Sequence, residues 1–228
     1  MSSIDRRAVL RALVATSGAL SALQFPAVAR AEAADAAPAA SAASAASAGW
    51  TVQTMEAFAD TLIPGERRFA GDLAIAGAVT GPGAVQAGVI STLTSPDLPL
   101  APVLPEIAAL LNARAIAYAA THLILLPLTS PAFVGLSFGH RTALVRGLFG
   151  PEDPDRAIWQ VLSLLTGLAF DTAAHLDTRQ ALTTGHPGLA WLDFPQPDPD
   201  GLWRFPTYSY GRALAAPHPA TTASGSPA

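Results

Sequence analysis

Apolar residues recur at helical spacing in several stretches of the chain, and prolines or glycines close each stretch. From Trp50 onward, Val52, Met55, Phe58, Ala59, Leu62 and Ile63 fall on one side of a helix, while Gln53, Glu56 and Asp60 fall on the other. Thr51 offers an N-cap hydroxyl and Pro64-Gly65 a stop. Glu66 to Thr80 show no period and predict a loop. Gly81-Pro82-Gly83 predicts the opening of a second helix, with Val85, Val89, Ile90 and Leu93 on one face and Pro96 beyond its end. The longest apolar run begins at Pro102 to Pro105. Pro105 suits a first helical turn and Glu106 suits the positive end of the helix dipole, so a helix is predicted as far as Leu126, where Pro127 stops it. Phe138 to Phe149 predict a shorter helix ended by Gly150-Pro151. Asp153-Pro154-Asp155 start a long one through Ile158, Trp159, Leu162, Leu165, Phe170 and Leu176. No stretch alternates at the period of a strand, and no internal repeat is present. The expected fold is an all-α bundle of about five helices.

The flanks read differently. Asp5-Arg6-Arg7-Ala8-Val9-Leu10-Arg11 places a twin arginine before the moderately apolar run Ala12 to Val28, and Ala27-Val28-Ala29 and Ala29-Arg30-Ala31 offer small residues to a signal peptidase. Residues 1–31 are therefore expected to be a twin-arginine signal peptide, with Arg6 and Arg7 read by the Tat translocase, either cleaved near Ala29 or Ala31 or retained as an anchor. Export would leave the protein periplasmic, extracellular or on the outer face of the cytoplasmic membrane. Residues 32–48 are an Ala/Ser/Pro run without a large apolar side chain, and predict a disordered linker. Residues 49–212 form the predicted helical domain. Its last part, after Leu182, is an irregular segment dense in Pro, Gly and aromatic residues, and residues 213–228 predict a disordered tail. In that segment Trp203, Phe205, Tyr208, Tyr210 and Arg212 are candidate anchors that either pack back on the bundle or dock on another protein.

Composition sharpens this picture at three points. Only 13% of residues are charged, so part of the surface is expected to face a partner. The chain has no cysteine, which excludes disulfides, thiolate nucleophiles and Cys-ligated metals. The net charge is -4 and no basic stripe carries interleaved aromatics, so nucleic acid is not an expected partner. The near-apolar run from Pro105 to Leu126 also fits a membrane span by length. Asn112, Arg114 and His122 favour a core helix instead, since an Arg near the middle of a span costs roughly 2.5–3.5 kcal/mol.

A search for chemistry finds little. His122, His140, His175, His186 and His218 include no pair at the spacing that puts two ligands on one helical face. Dinucleotide, Walker and nucleophile-elbow motifs are absent. Asp171 and His175, four apart, could meet on one helix as a base and its orienting carboxylate, or simply as a solvated pair. Asp60, ahead of Pro64-Gly65, either bonds the turn that follows or reaches a partner's backbone. Arg114 and His122 are expected to pair with acids inside the bundle.

Phe58-Ala59-Asp60-Thr61-Leu62-Ile63-Pro64-Gly65, followed by Gly81-Pro82-Gly83-Ala84-Val85-Gln86-Ala87-Gly88-Val89, resembles the gluconate 2-dehydrogenase subunit 3 family over roughly residues 50–212. The resemblance implies a small, non-catalytic, Tat-exported subunit that accompanies a large FAD-dependent dehydrogenase of the glucose-methanol-choline type, sometimes with a cytochrome c. It implies no cofactor in this chain and FAD in the partner; the residues themselves make Asp60, Pro64 and the Trp203 to Arg212 segment the candidate partner contacts. The alternative is a free-standing exported helical enzyme or small-ligand-binding protein, working from a pocket between helices.

Overall fold

The computed structural model describes residues 37–196. The predicted signal peptide with Arg6 and Arg7, and Trp203, Phe205, Tyr208, Tyr210, Arg212 and the predicted tail, lie outside the described residues. The described chain is all-α: α1 (Ala37–Leu62), α2 (Val89–Leu93), a 3-10 turn (Ala101–Val103), α3 (Leu104–Thr121), α4 (Ala132–Gly135), α5 (Phe138–Leu148), α6 (Arg156–Thr172), α7 (Thr178–Thr183) and α8 (Pro187–Trp191). Four of these helices carry the bundle and the other four are single turns that close corners.

Helix α1 is the hub, in contact with α2, α3, α4, α5 and α6. Residues 54–60 are consecutively buried, so this part of α1 has no solvated face. The expectation that Glu56 and Asp60 look outward is therefore corrected, because the loop after α1 folds over them. α1 also starts at Ala37, so the part of the predicted linker from Ala37 to Ala48 is helical. Alanine has the highest intrinsic helix propensity, and the run extends a helix already nucleated by the core. Thr51 is consequently inside the helix, its hydroxyl donating to the Ser47 carbonyl (3.0 Å) instead of capping.

The core centres on Trp159, Phe58, Phe133, Ile107, Leu111, Leu162 and Leu165, all essentially inaccessible. Phe58 and Trp159 meet with ring centroids 6.0 Å apart. The Trp159 indole N–H, buried here, has no hydrogen-bond partner among the described residues. Asn112 joins three elements, donating to Thr54 Oγ1 (3.0 Å) and accepting from the Phe133 amide (2.9 Å).

Three further helix boundaries differ from the predicted ones. α2 is confined to Val89–Leu93 because Gly88 takes φ 82 and interrupts the turns before it. α3 ends at Thr121, not Leu126. Leu123 adopts φ 55, the Ile124 amide reaches back to the Ala119 carbonyl (2.9 Å) and the Leu123 amide to Ala120 (3.4 Å), which is a Schellman ending with leucine where glycine is usual. A left-handed residue with a Cβ costs roughly 1–2 kcal/mol. α6 stops at Thr172, where Ala173 takes φ 50. Segment Ala101–Thr121 is long and apolar enough to cross a membrane by length and composition, with mean hydropathy 1.3. Its Leu104, Ile107, Ala108, Leu111, Ala115 and Ala119 are buried in the bundle core.

Candidate functional site

The residues after α1 leave the helix at Pro64 and return at Gly83 through a neck. There the backbones of Gly65 and Gly83 touch: a Cβ on Gly65 would lie 2.5 Å from the Gly83 nitrogen, and one on Gly83 would lie 2.6 Å from the Ile63 oxygen. Only glycine permits that approach. The neck is closed by Glu66 N–H to the Gly81 carbonyl (2.8 Å) and Ala84 N–H to that of Ile63 (3.0 Å). Gln86 bridges it, accepting from the Gly83 amide (2.9 Å) and donating to the Glu66 carbonyl (2.6 Å).

Inside the loop, Asp60 is 1% exposed. Its carboxylate accepts from the Gly65 amide (3.1 Å) and the Ala76 amide (2.9 Å). Burial pushes its pKa above the ordinary carboxylate value, although those two bonds and the nearby Arg141 charge pull the other way. Asp60 thus bonds its own chain's turn. As a partner-contact residue it is corrected, because it is sealed beneath the loop. Pro64 is half-buried at the neck.

Two further cations fix the loop. Arg68 holds Glu56 on α1 with a fork (2.6 and 2.9 Å) and Asp72 with another (2.7 and 3.2 Å). These contacts raise the Arg68 pKa, and they hold Asp72 below its ordinary value although burial pushes Asp72 up. Arg141 of α5, 3% exposed, makes no direct ion pair among the described residues. Its guanidinium donates to four carbonyls: Leu136 (3.0 Å), Ala74 (2.8 Å), Leu73 (2.8 Å) and Val134 (2.5 Å). Burial lowers its pKa, yet a guanidinium stays protonated, so α5 clamps the loop to α4 and the residue after it with a permanent buried charge.

On the outside of this clamped loop stand Phe69, 61% exposed, and Leu73, 60% exposed. They border a cleft of about 510 Å³ whose other walls include Gln53, Glu56, Arg68, Asp72 and Thr129. Its charged groups are matched to one another, and the apolar ones are not covered. That arrangement suits docking and lacks a nucleophile with an attached base.

A second polar cluster lies between α2 and α6. His175 Nδ1 is 3.2 Å from Thr92 Oγ1, and its ring packs on Gly88, where a Cβ would come within 2.5 Å of Nε2. His186 is buried, with Nε2 against the Ala87 carbonyl (2.9 Å) and Nδ1 accepting from the Leu189 amide (3.3 Å), which selects the Nε2–H tautomer. Burial first, and then the neighbouring His186, lower the His175 pKa. His175 lies beyond the end of α6, so the helical Asp171–His175 pairing is not formed. A cleft of about 420 Å³ beside it is lined by Ser91, Thr94, Ser95 and Asp97.

Arg114 pairs with Asp155 (2.7 Å) and Asp153 (3.6 Å), as an acid partner was expected. Among the described residues His122 pairs with no acid; it stacks on Tyr118 with centroids 4.0 Å apart. Among the described residues no three His, Asp or Glu side chains form a group able to hold a metal. Sequence reasoning missed Arg141, Arg68, Glu56 and Asp72. The one available signal was the rarity of charge in the chain, which makes each ion on or next to α1 worth placing.

No curated protein matches the chain. No solved structure matches it. The model of a family described as a family of unknown function (DUF5987) matches residues 49–228, spanning the clamped loop, the bundle and the C-terminal segment, and the chain belongs to that family.

Proposed function

We propose that this protein is a non-catalytic accessory subunit that binds, stabilises and helps export a large FAD-dependent dehydrogenase of the glucose-methanol-choline type. The partner's identity follows the resemblance around Asp60 and Gly81, and docking is supported by one observation: Phe69 and Leu73 are exposed apolar side chains on a loop whose backbone is held from beneath by Asp60, Arg68 and Arg141. Anchors fixed before association lose little conformational freedom on binding, which is how a small patch gains affinity. The flavin belongs to the partner, with a cytochrome c as a further member of the assembly in some systems. The Arg6-Arg7 leader serves both proteins if the large subunit lacks its own.

Co-expression of this chain with a large flavoprotein dehydrogenase of the same genome tests the reading. Phe69→Asp with Leu73→Asp should abolish co-purification while the bundle stays folded. Arg6→Lys with Arg7→Lys should hold both proteins in the cytoplasm. Export and flavin-dependent activity that persist without this chain count against the proposal. The cleft lined by Ser91 and Asp97 beside His175 favours a second reading, a free-standing exported enzyme or binder of a small polar molecule. Turnover or a retained ligand in the isolated monomer would select it.

A further inference from the structure

We infer that the loop from Leu123 to Leu128 is a lipid-contacting tip that seats the folded protein on a bilayer surface. Leu123, Leu125 and Leu128 are 91%, 96% and 94% exposed, so they project from the molecule and do not line a groove. Between them Ile124 and Leu126 pack against the core and fix the base of the tip. Leu123 stands in the left-handed region at φ 55, where a leucine adds strain and no packing, so folding stability supplies no reason for its presence.

The chain on either side of the tip favours hydrocarbon over a protein surface, and the ions that share a cleft with neighbouring Thr129, Arg68 with Glu56 and Asp72, are paired with one another. No Asp, Glu, Lys or Arg occurs from residue 115 to residue 140. The exposed residues in the last turns of α3 include Ile116, Ala117 and Ala120. A protein interface has a polar, charged rim around its apolar centre, whereas a bilayer requires that no charge be carried out of water. At the base of the tip, Tyr118 stacks on His122, and its hydroxyl lies 3.2 Å from His140 Nδ1. Such amphipathic rings suit the headgroup level. With a net charge of -4 and no basic residue in the stretch, the attachment is apolar: anionic lipid should not strengthen it and salt should not weaken it. The inference goes beyond the partner reading, since Phe69 and Leu73 are not used by it.

The chain has no cysteine, so Leu125→Cys in the full chain accepts a single environment-sensitive fluorophore. Mixed with phosphatidylcholine vesicles, the probe should shift to the blue, saturate with lipid, be quenched by a quencher carried on the acyl chains, and behave alike at low and high salt. Adding Leu123→Ser and Leu128→Ser, both at exposed positions, should leave helicity intact and lower partitioning at least about tenfold, because burying one leucine is worth roughly tenfold in a partition constant. A probe that vesicles leave unshifted overturns the inference. So does one already shielded before lipid is added, which would mean that another part of this chain or a second copy covers the tip. Binding that requires anionic lipid, or that survives the serine substitutions, overturns it as well.

Discussion

Replacing Arg141 by methionine tests whether a buried cation is what makes the loop after α1 rigid. The substitution keeps the side chain's length and apolar stem but withdraws the donors now shared by the Leu73, Ala74, Val134 and Leu136 carbonyls. Each buried acceptor left without a donor costs about 1–3 kcal/mol. Removing a desolvated charge offsets part of this, and Asp60 loses a favourable neighbouring charge. The net loss should be about 3–5 kcal/mol, a large share of the roughly 5–15 kcal/mol that holds a domain of this kind together. Arg141→Lys keeps the charge but offers one compact donor group in place of a planar fork, so it should fall between the two. Urea unfolding followed by circular dichroism gives the stability. Trypsin gives the local effect, since Arg67 and Arg68 lie in the loop and become cleavable once it is released. A methionine variant within about 1 kcal/mol of the parent, with its loop still protected, would refute the clamp.

Three other outcomes follow. His175 has its pKa lowered in the fold, so below its ordinary value near 6.5 the unfolded chain binds the proton more tightly and stability falls as pH drops through that range; His175→Gln should flatten the dependence in unfolding midpoints measured at stepped pH. Leu123→Gly relieves a left-handed residue whose side chain packs on nothing, and should raise stability by about 0.5–1 kcal/mol in thermal melts while weakening vesicle binding. Trp159→Phe removes an unpartnered buried N–H while shrinking a core ring, so the opposing effects should leave stability within about 1 kcal/mol, whereas Trp159→Ala should lose about 3–5 kcal/mol in denaturant titrations.

The sequence made the long helices legible because their apolar positions keep the helical period and their ends carry prolines and glycines. α5 and the start of α6 fall where the pattern puts them, and α3 starts as Pro105 and Glu106 suggest. Boundaries set by one residue's backbone were hidden: Gly88, Leu123 and Ala173 each turn the chain left-handed, and alanine and leucine give no warning of that. The polar side of α1 was misleading for a different reason. Periodicity separates apolar from polar positions but cannot tell water from a covering loop, and here Arg68 and the Ala76 amide stand where solvent was expected. Arg141 was illegible because its partners are backbone carbonyls, which every residue has. Asp60 was singled out correctly as a turn-bonding residue, and its alternative role toward a partner fails on burial.

The pinch between Gly65 and Gly83 makes everything distal to it a replaceable cassette. Because the two strands of chain are fastened to each other at that point, the spacing they present to α1 and α2 does not depend on what is strung between them. Sequence drift or deliberate grafting at the exposed positions between Arg67 and Thr80, such as Phe69 and Leu73, can therefore change the outer face of the loop without asking the bundle to refold, provided Arg68, its partners Glu56 and Asp72, the buried Ala74 and Ile75, and the backbone that meets Asp60 and Arg141 are kept.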